Sequence, residues 1–127
     1  MQKTNFENLQ IYRLSEVLAD QIWRVVVSWG YFAKNTVGIQ IVKAADSVGA
    51  NIAEGSGRGT DAEIRRFLRV ARGSLYETQH WLRRAYKRRL LTEKQVNDLL
   101  PVIHELIPKL NAYLGSIGTL RYQKTAT

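Results

Sequence analysis

The chain is predicted to be an all-α protein that folds as an antiparallel up-down-up-down four-helix bundle. Apolar residues recur at steps of three and four in four separate blocks. No segment alternates polar and apolar residues as a half-buried strand does. The connections between the blocks are short, which favours antiparallel neighbours. With 127 residues, the chain can bury a core in one domain, so we predict a single domain over 1–127.

The first two helices are predicted at 7–32 and 38–54. Helix one carries one apolar stripe, made of Leu14, Val17, Leu18, Ile22, Val25 and Trp29. The stripe of helix two consists of Ile41, Ala44, Ala45, Val48 and Ile52. Small residues on helix two, Gly49 among them, predict the close approach of helix three or of a neighbouring subunit. Trp23 and Trp81 fall outside the main apolar stripes, which agrees with an intersubunit surface.

The third and fourth helices are predicted at 60–89 and 92–118. Thr60 with Glu63, and Thr92 with Gln95, have the spacing of a capping box at the start of each helix. Pro101 lies inside helix four, as does Pro108, and each removes a backbone donor at a cost of roughly 3 kcal/mol in a regular helix. We therefore expect bends there, or a short break near Pro101. The polar tail, 119–127, is predicted to fray.

Several classes of function are disfavoured by composition. The chain has no cysteine and no run of ~18 apolar residues, so it is predicted to be a soluble, cytoplasmic protein with no membrane role. Its two histidines, His80 and His104, lie on different helices without clustered carboxylates, so no metal or other cofactor is expected. The glycine turn Gly55–Gly59 lacks the spacing of a phosphate-binding loop. No catalytic residue is predicted, and the chain is not expected to be an enzyme.

Positive charge is concentrated on helix three. Residues 60–91 hold nine Lys/Arg and three Asp/Glu, within a chain of net charge +8. On a helical wheel five of these cations fall within about 60° and nearly opposite the apolar stripe, interleaved with aromatic rings. Such a face suits phosphate contact combined with base stacking. The candidate nucleic-acid-binding residues are Arg65, Arg66, Arg69, Arg72, Tyr76, His80, Arg83, Arg84, Lys87 and Arg88. A surface for an acidic protein and a simply solvated face are the alternatives.

A second polar stripe follows helix two beside its apolar face. Its spacing predicts a hydrogen-bonded structural network at a helix or subunit seam. A ligand site and a catalytic site are the alternatives, and the catalytic one lacks a histidine within local reach of Ser47. The residues of the predicted network are Gln40, Ser47, Asn51, Glu54 and Arg58.

Several short motifs resemble those of a known family. They are Gln40–Val48, Asn51–Gly55, Gly57-Arg58, Arg66–Leu68 with Ala71, Gly73–Leu75 and Glu77, together with Phe6–Leu9 and Ile11-Tyr12 near the start. Over roughly residues 6–117 the chain resembles the four helix bundle proteins, first named for proteins encoded by intervening sequences within bacterial 23S rRNA genes. The resemblance implies a bundle that assembles into a homopentamer. A more distant relative is the accessory variability protein of diversity-generating retroelements, a basic pentamer that binds nucleic acid and a reverse transcriptase.

Charge and resemblance together give the functional prediction. We expect a non-enzymatic, basic homo-oligomer, pentameric by resemblance, that binds nucleic acid, with RNA as the favoured form. The alternative is a scaffold that docks an acidic protein partner and has no nucleic-acid role.

Overall fold

The computed structural model describes residues 9–118, which form four long helices and contain no strand. The prediction of an all-α four-helix bundle is confirmed. The predicted frayed tail at 119–127, and residues 7–8 of the first predicted helix, lie outside the described residues. Among the helices described, none is both long enough and apolar enough to cross a membrane. The helices are α1 (Gln10–Val27), α2 (Ile39–Ser56), α3 (Asp61–Lys87) and α4 (Glu93–Ser116).

The first helix ends earlier than predicted. Helix α1 ends at Val27 rather than at residue 32, because Gly30 is extended, with φ −67° and ψ 167°. The Ser28 hydroxyl donates to the Val25 carbonyl, 2.6 Å away, at this helix end. Residues 33–38, predicted to break the helix, are instead helical, since a short turn at Tyr31–Ala33 continues through a π-helical segment, Lys34–Gly38, into α2. A π-helical turn is rare and short, and periodicity does not reveal it.

Glycines allow α1 and α2 to approach closely. A Cβ atom on Gly49 would lie 2.8 Å from Ser15 Oγ, and one on Gly38 would lie 2.8 Å from Val26 Cγ1. The small residue at position 49 therefore faces α1, whereas the sequence prediction gave helix three or a neighbouring subunit. Helix α3 is instead approached through Gly55, where an added Cβ would lie 3.0 Å from Phe67 Cβ.

The core lies between all four long helices. Contacts join α1 to α2, α2 to α3, α3 to α4, and α4 back to α1. The indole nitrogen of Trp29 donates to the Leu90 carbonyl, 2.9 Å away, and ties the end of α1 to the α3–α4 connection. The largest fully buried side chains are Leu18, Ile22, Ile41, Ile52, Leu68, Leu75, Ile103, Leu106 and Leu110, with Val48, Thr78 and Ser15.

Both prolines of α4 lie within one continuous helix. Pro101 and Pro108 are exposed, while the core residues of α4 continue in phase on the opposite face. The alternative of a short break near Pro101 is therefore excluded. At the start of α4 the complete capping box is present: Thr92 Oγ1 accepts from the Gln95 amide at 3.1 Å, and Gln95 Oε1 accepts from the Thr92 amide at 2.9 Å.

Candidate nucleic-acid interface

Helix α3 places the cationic residues on a rigid, well-capped element. Thr60 is extended and its hydroxyl accepts from the Glu63 amide at 3.2 Å, so the helix begins where the sequence predicts. Asp61 and Glu63 lie in the first turn, and Arg84 and Lys87 in the last, which complements the helix dipole at both ends. The acidic first turn also makes this N-terminus a poor anion site, which agrees with the rejection of a phosphate loop at the glycine turn.

Six of the eight predicted cations are exposed to solvent. None of the six forms an ion pair with a described carboxylate, because the ion pairs within residues 9–118 are Arg58–Glu54, Lys94–Asp98 and Lys109–Glu105. Their charge is therefore not neutralised within the described part of the chain. Five of them lie in α3 and the sixth, Arg88, is its C-cap residue. We call this set the exposed cations of α3: Arg66, Arg69, Arg83, Arg84, Lys87 and Arg88.

Arg65 and Arg72, in contrast, are half-buried against α4. Arg65 Nη1 donates to the Ile117 carbonyl at 3.1 Å, and Arg72 Nη1 donates to Asn111 Oδ1 at 3.1 Å. These hydrogen bonds link the start of α3 to the end of α4. Both residues lie on the edge of the arginine face nearest α4, so their side chains reach protein acceptors. Arg65 and Arg72 therefore use guanidinium donors to hold α3 against α4. The guanidinium and ammonium groups of the exposed cations make no such hydrogen bonds to α4.

Two aromatic side chains lie between the cations, as the sequence pattern predicted. Tyr76 is 47% exposed, and His80 is also exposed, with its ring edge-on to Trp81 at 4.9 Å between ring centroids. Rings of this kind offer a flat surface on which an unpaired base can stack. Trp81 itself is half-buried beneath this surface and packs against the core.

The exposed cations fall into two groups along α3. Arg66 and Arg69 form one group, and the four from Arg83 to Arg88 form the other. From Arg69 to Arg83 the helix rises about 21 Å at 1.5 Å per residue. This equals the rise of roughly six nucleotides of one strand along the axis of a B-form DNA duplex, at 3.4 Å each. The exposed Gly73 lies between the groups, and an added Cβ there would meet nothing within 4 Å. A nucleic-acid backbone can therefore approach the middle of α3 closely.

The groove between α1 and α2 carries a local cluster of carboxylates. Glu16, Asp20 and Asp46 line this groove. Partial burial, and then the charge of Asp20, raise the pKa of the Asp46 carboxyl above its usual value. Three carboxylates close together disfavour a polyanion within the groove, although Arg13, Arg24 and Lys43 are exposed elsewhere on the same helices. The larger excess of exposed cations lies on α3.

The predicted polar network forms in part and gains a partner from α3. Asn51 Nδ2 donates to Ser47 Oγ at 2.9 Å, and the hydroxyls of Ser47 and Ser74 are 2.8 Å apart. Thr78 Oγ1 donates to the Ser74 carbonyl at 2.8 Å, so the cluster continues along α3. Sequence analysis missed Ser74, although it lies beside the apolar stripe of α3 as Ser47 does on α2. All of these contacts satisfy polar groups within the α2–α3 seam.

The other predicted members of that network lie elsewhere. Arg58 pairs with Glu54, and its guanidinium lies over the Phe67 ring, 4.7 Å from the centroid. Arg66 also lies over this ring at 4.5 Å, so Phe67 orients one of the exposed cations. Gln40 is exposed two turns before Ser47, about 10 Å along the axis, beside Trp81 and Arg88. It makes no hydrogen bond to the network.

Metal coordination has no support in residues 9–118, where no group of three His, Asp or Glu residues could hold an ion. His104 is exposed on α4, whereas His80 lies on α3.

Comparison with known proteins gives a family but no activity. One solved structure, a protein of unknown function from the S23 ribosomal protein family of Bacteroides thetaiotaomicron, superposes with a TM-score of 0.74. The two sequences are 22% identical, and the alignment covers 83% of this chain and 95% of that one. At this identity the likeness concerns the fold alone. No curated protein has a matching sequence. The family model for the 23S rRNA-intervening sequence protein matches residues 7–112. The chain therefore belongs to the family of 23S rRNA-intervening sequence proteins.

Proposed function

We propose that the protein is a non-enzymatic nucleic-acid-binding protein that uses the exposed face of α3, with RNA as its ligand. The observation that carries the proposal is the lack of any carboxylate partner for the exposed cations of α3 within residues 9–118. Guanidinium groups with free donors bind phosphate oxygens, often in a bidentate manner. Phosphate contact supplies most of the affinity in binding that lacks sequence preference.

The aromatic residues favour RNA with unpaired bases over regular duplex. Tyr76 and His80 lie between the two groups of cations. A strand held by phosphates at both groups would pass over these rings, where a splayed base can stack. In a regular duplex the bases are already stacked on one another and do not reach the rings. Loops, bulges and single-stranded segments are therefore the preferred ligands.

The dependence of affinity on salt tests this function. If all six exposed cations contact phosphates, the slope of log K against log salt concentration should lie between about −4 and −5.5. The measurement is fluorescence anisotropy with a labelled RNA hairpin at several salt concentrations. A slope near zero contradicts the proposal. A salt-sensitive complex with an acidic protein that survives nuclease treatment, in the absence of RNA binding, supports the scaffold function instead.

The protein is further proposed to act as a homo-oligomer. Trp23 is 57% exposed and Val27, one turn later, is 49% exposed, while Tyr31 and Phe32 are 85% and 80% exposed. These exposed apolar side chains lie near the end of α1 and just after it. Such groups of exposed apolar side chains are typical of surfaces that another subunit covers. Each added subunit repeats the α3 face, which raises avidity for a long polyanion.

Light scattering checks the assembly. The expected mass is a multiple of the 14.5 kDa of one chain, and Trp23→Ala should shift it toward the single-chain value. Helical content by circular dichroism serves as the control for folding. A single-chain mass for the unmodified protein at tens of micromolar would argue against the oligomer.

A further inference from the structure

A second site, separate in chemistry from the nucleic-acid face, lies between α3 and α4. The two helices enclose an open cavity of about 210 Å³ near the connection that joins them. Six of the nine residues that line it are aliphatic. The aliphatic side chains that line it are Leu82, Leu91, Val96, Leu99, Leu100 and Ile103.

The polar groups of this cavity all come from one face of α3. Gln79, Arg83 and Tyr86 have the spacing i, i+4 and i+7, which stacks them along one side of the helix. The Tyr86 hydroxyl is already engaged, because it donates to Glu93 Oε1 at 2.6 Å. That hydrogen bond, and the charge of Glu93, raise the pKa of Tyr86 above its usual value, so the phenol stays protonated at neutral pH.

Two polar groups of the cavity remain free. The Gln79 amide and the Arg83 guanidinium have no hydrogen-bond or ion-pair partner in residues 9–118. An apolar pocket with a few convergent polar groups is the usual form of a small-molecule site. Arg83 is the charged residue among those that line the cavity, and Glu93 lies outside the lining, where it accepts the hydrogen bond of Tyr86.

Size and polarity together define the ligand. A cavity of 210 Å³ is smaller than most drug-sized sites and accommodates a chain of about six to eight carbons. Aliphatic walls would leave the polar edges of a nucleobase without partners, at a cost in free energy. An apolar tail, however, gains from burial there. The free guanidinium favours an anionic end, above all a carboxylate.

We propose that this cavity binds an aliphatic carboxylate of medium chain length, with the tail among the leucines and the carboxylate on Arg83 and Gln79. The cavity shares Arg83 with the exposed cations of α3, but octanoate binding is measured without RNA, so the proposal can hold whether or not the protein binds nucleic acid. For a ligand with ten non-hydrogen atoms the dissociation constant should be on the order of 0.1 to 1 mM.

Octanoate is the probe for this site. Titration of the full chain, followed by methyl NMR, should give saturable shifts at Leu82, Leu100 and Ile103. Arg83→Gln should weaken octanoate binding about tenfold, since it removes a charge-assisted hydrogen bond. Lys43→Gln is the matched control, because Lys43 is an exposed cation on α2, away from the cavity. It should leave the dissociation constant within about twofold. Octan-1-ol, which lacks the carboxylate, should bind about tenfold more weakly than octanoate.

Several outcomes would overturn the proposal. One is the absence of saturable methyl shifts up to about 10 mM octanoate, well above the expected constant. Another is equal binding of octanol and octanoate, which would mean that Arg83 takes no part. A third is tighter binding of adenosine monophosphate than of octanoate at the same methyl groups, which would assign the cavity to a nucleobase.

Discussion

Replacing Arg69, Arg84 and Lys87 together by glutamine is expected to reduce RNA affinity by two to three orders of magnitude at low salt. All three are exposed, and none is tied to a protein acceptor in residues 9–118. Removing three phosphate contacts should also make the salt slope shallower by about 2 to 3. Circular dichroism separates this effect from a loss of fold, because an unfolded basic chain would still bind RNA with a salt-dependent affinity. Arg65 and Arg72 are left unchanged, since their hydrogen bonds to α4 would be lost as well.

The matched control removes three cations from the other side of the bundle. Arg13, Arg24 and Lys43 are exposed on α1 and α2, and their replacement by glutamine lowers the net charge of +8 by the same three units. If RNA binds the α3 face, this control should change affinity by less than about fivefold, through the long-range field alone. Equal losses in the two triple variants would mean that net charge, and not the α3 face, determines binding.

The phase of each helix, and hence the side on which the arginines lie, could be predicted from the sequence. A wheel at 100° per residue places Arg69 and Lys87 nearly opposite Ala71 and Thr78, and these two are buried while the cations are exposed. A wheel does not show where the neighbouring helix lies. For that reason the sequestration of Arg65 by the Ile117 carbonyl could not be foreseen. Arg65 forms this hydrogen bond because α4 lies beside that edge of the arginine face.

The sequence pattern also failed to predict the end of the first helix, because tertiary contacts determine the backbone conformation there. The apolar stripe of α1 continues in phase to Trp29, which is why the first helix was predicted to extend to residue 32. The chain breaks instead at Gly30, and Trp29 turns into the core to reach the Leu90 carbonyl. The cavity between α3 and α4 could not be predicted either. Val96 and Leu99, which line it, have the spacing of ordinary core residues on their own helix.

Trp29→Ala is expected to lower the free energy of unfolding by about 3 to 5 kcal/mol, the range for loss of a large buried aromatic side chain. Trp29 is only 9% exposed, and its ring lies 3.7 Å from the position of a Cβ on Gly38. Truncation thus opens a cavity where α1 meets the segment before α2. The measurement is urea denaturation followed by circular dichroism. Trp29→Phe should cost less, because it keeps most of the apolar contact and loses the hydrogen bond to Leu90, worth about 0.5 to 1.5 kcal/mol.

Trp23→Ala provides the comparison for the same truncation on a surface. Trp23 is 57% exposed, so the change should alter the free energy of unfolding of a single chain by less than about 1 kcal/mol. Any stability that Trp23 contributes through assembly depends on protein concentration, whereas the effect of Trp29 does not. Denaturation at two concentrations, tenfold apart, therefore distinguishes them. Comparable, concentration-independent losses for the two variants would contradict the assignment of Trp29 to the core and of Trp23 to a subunit surface.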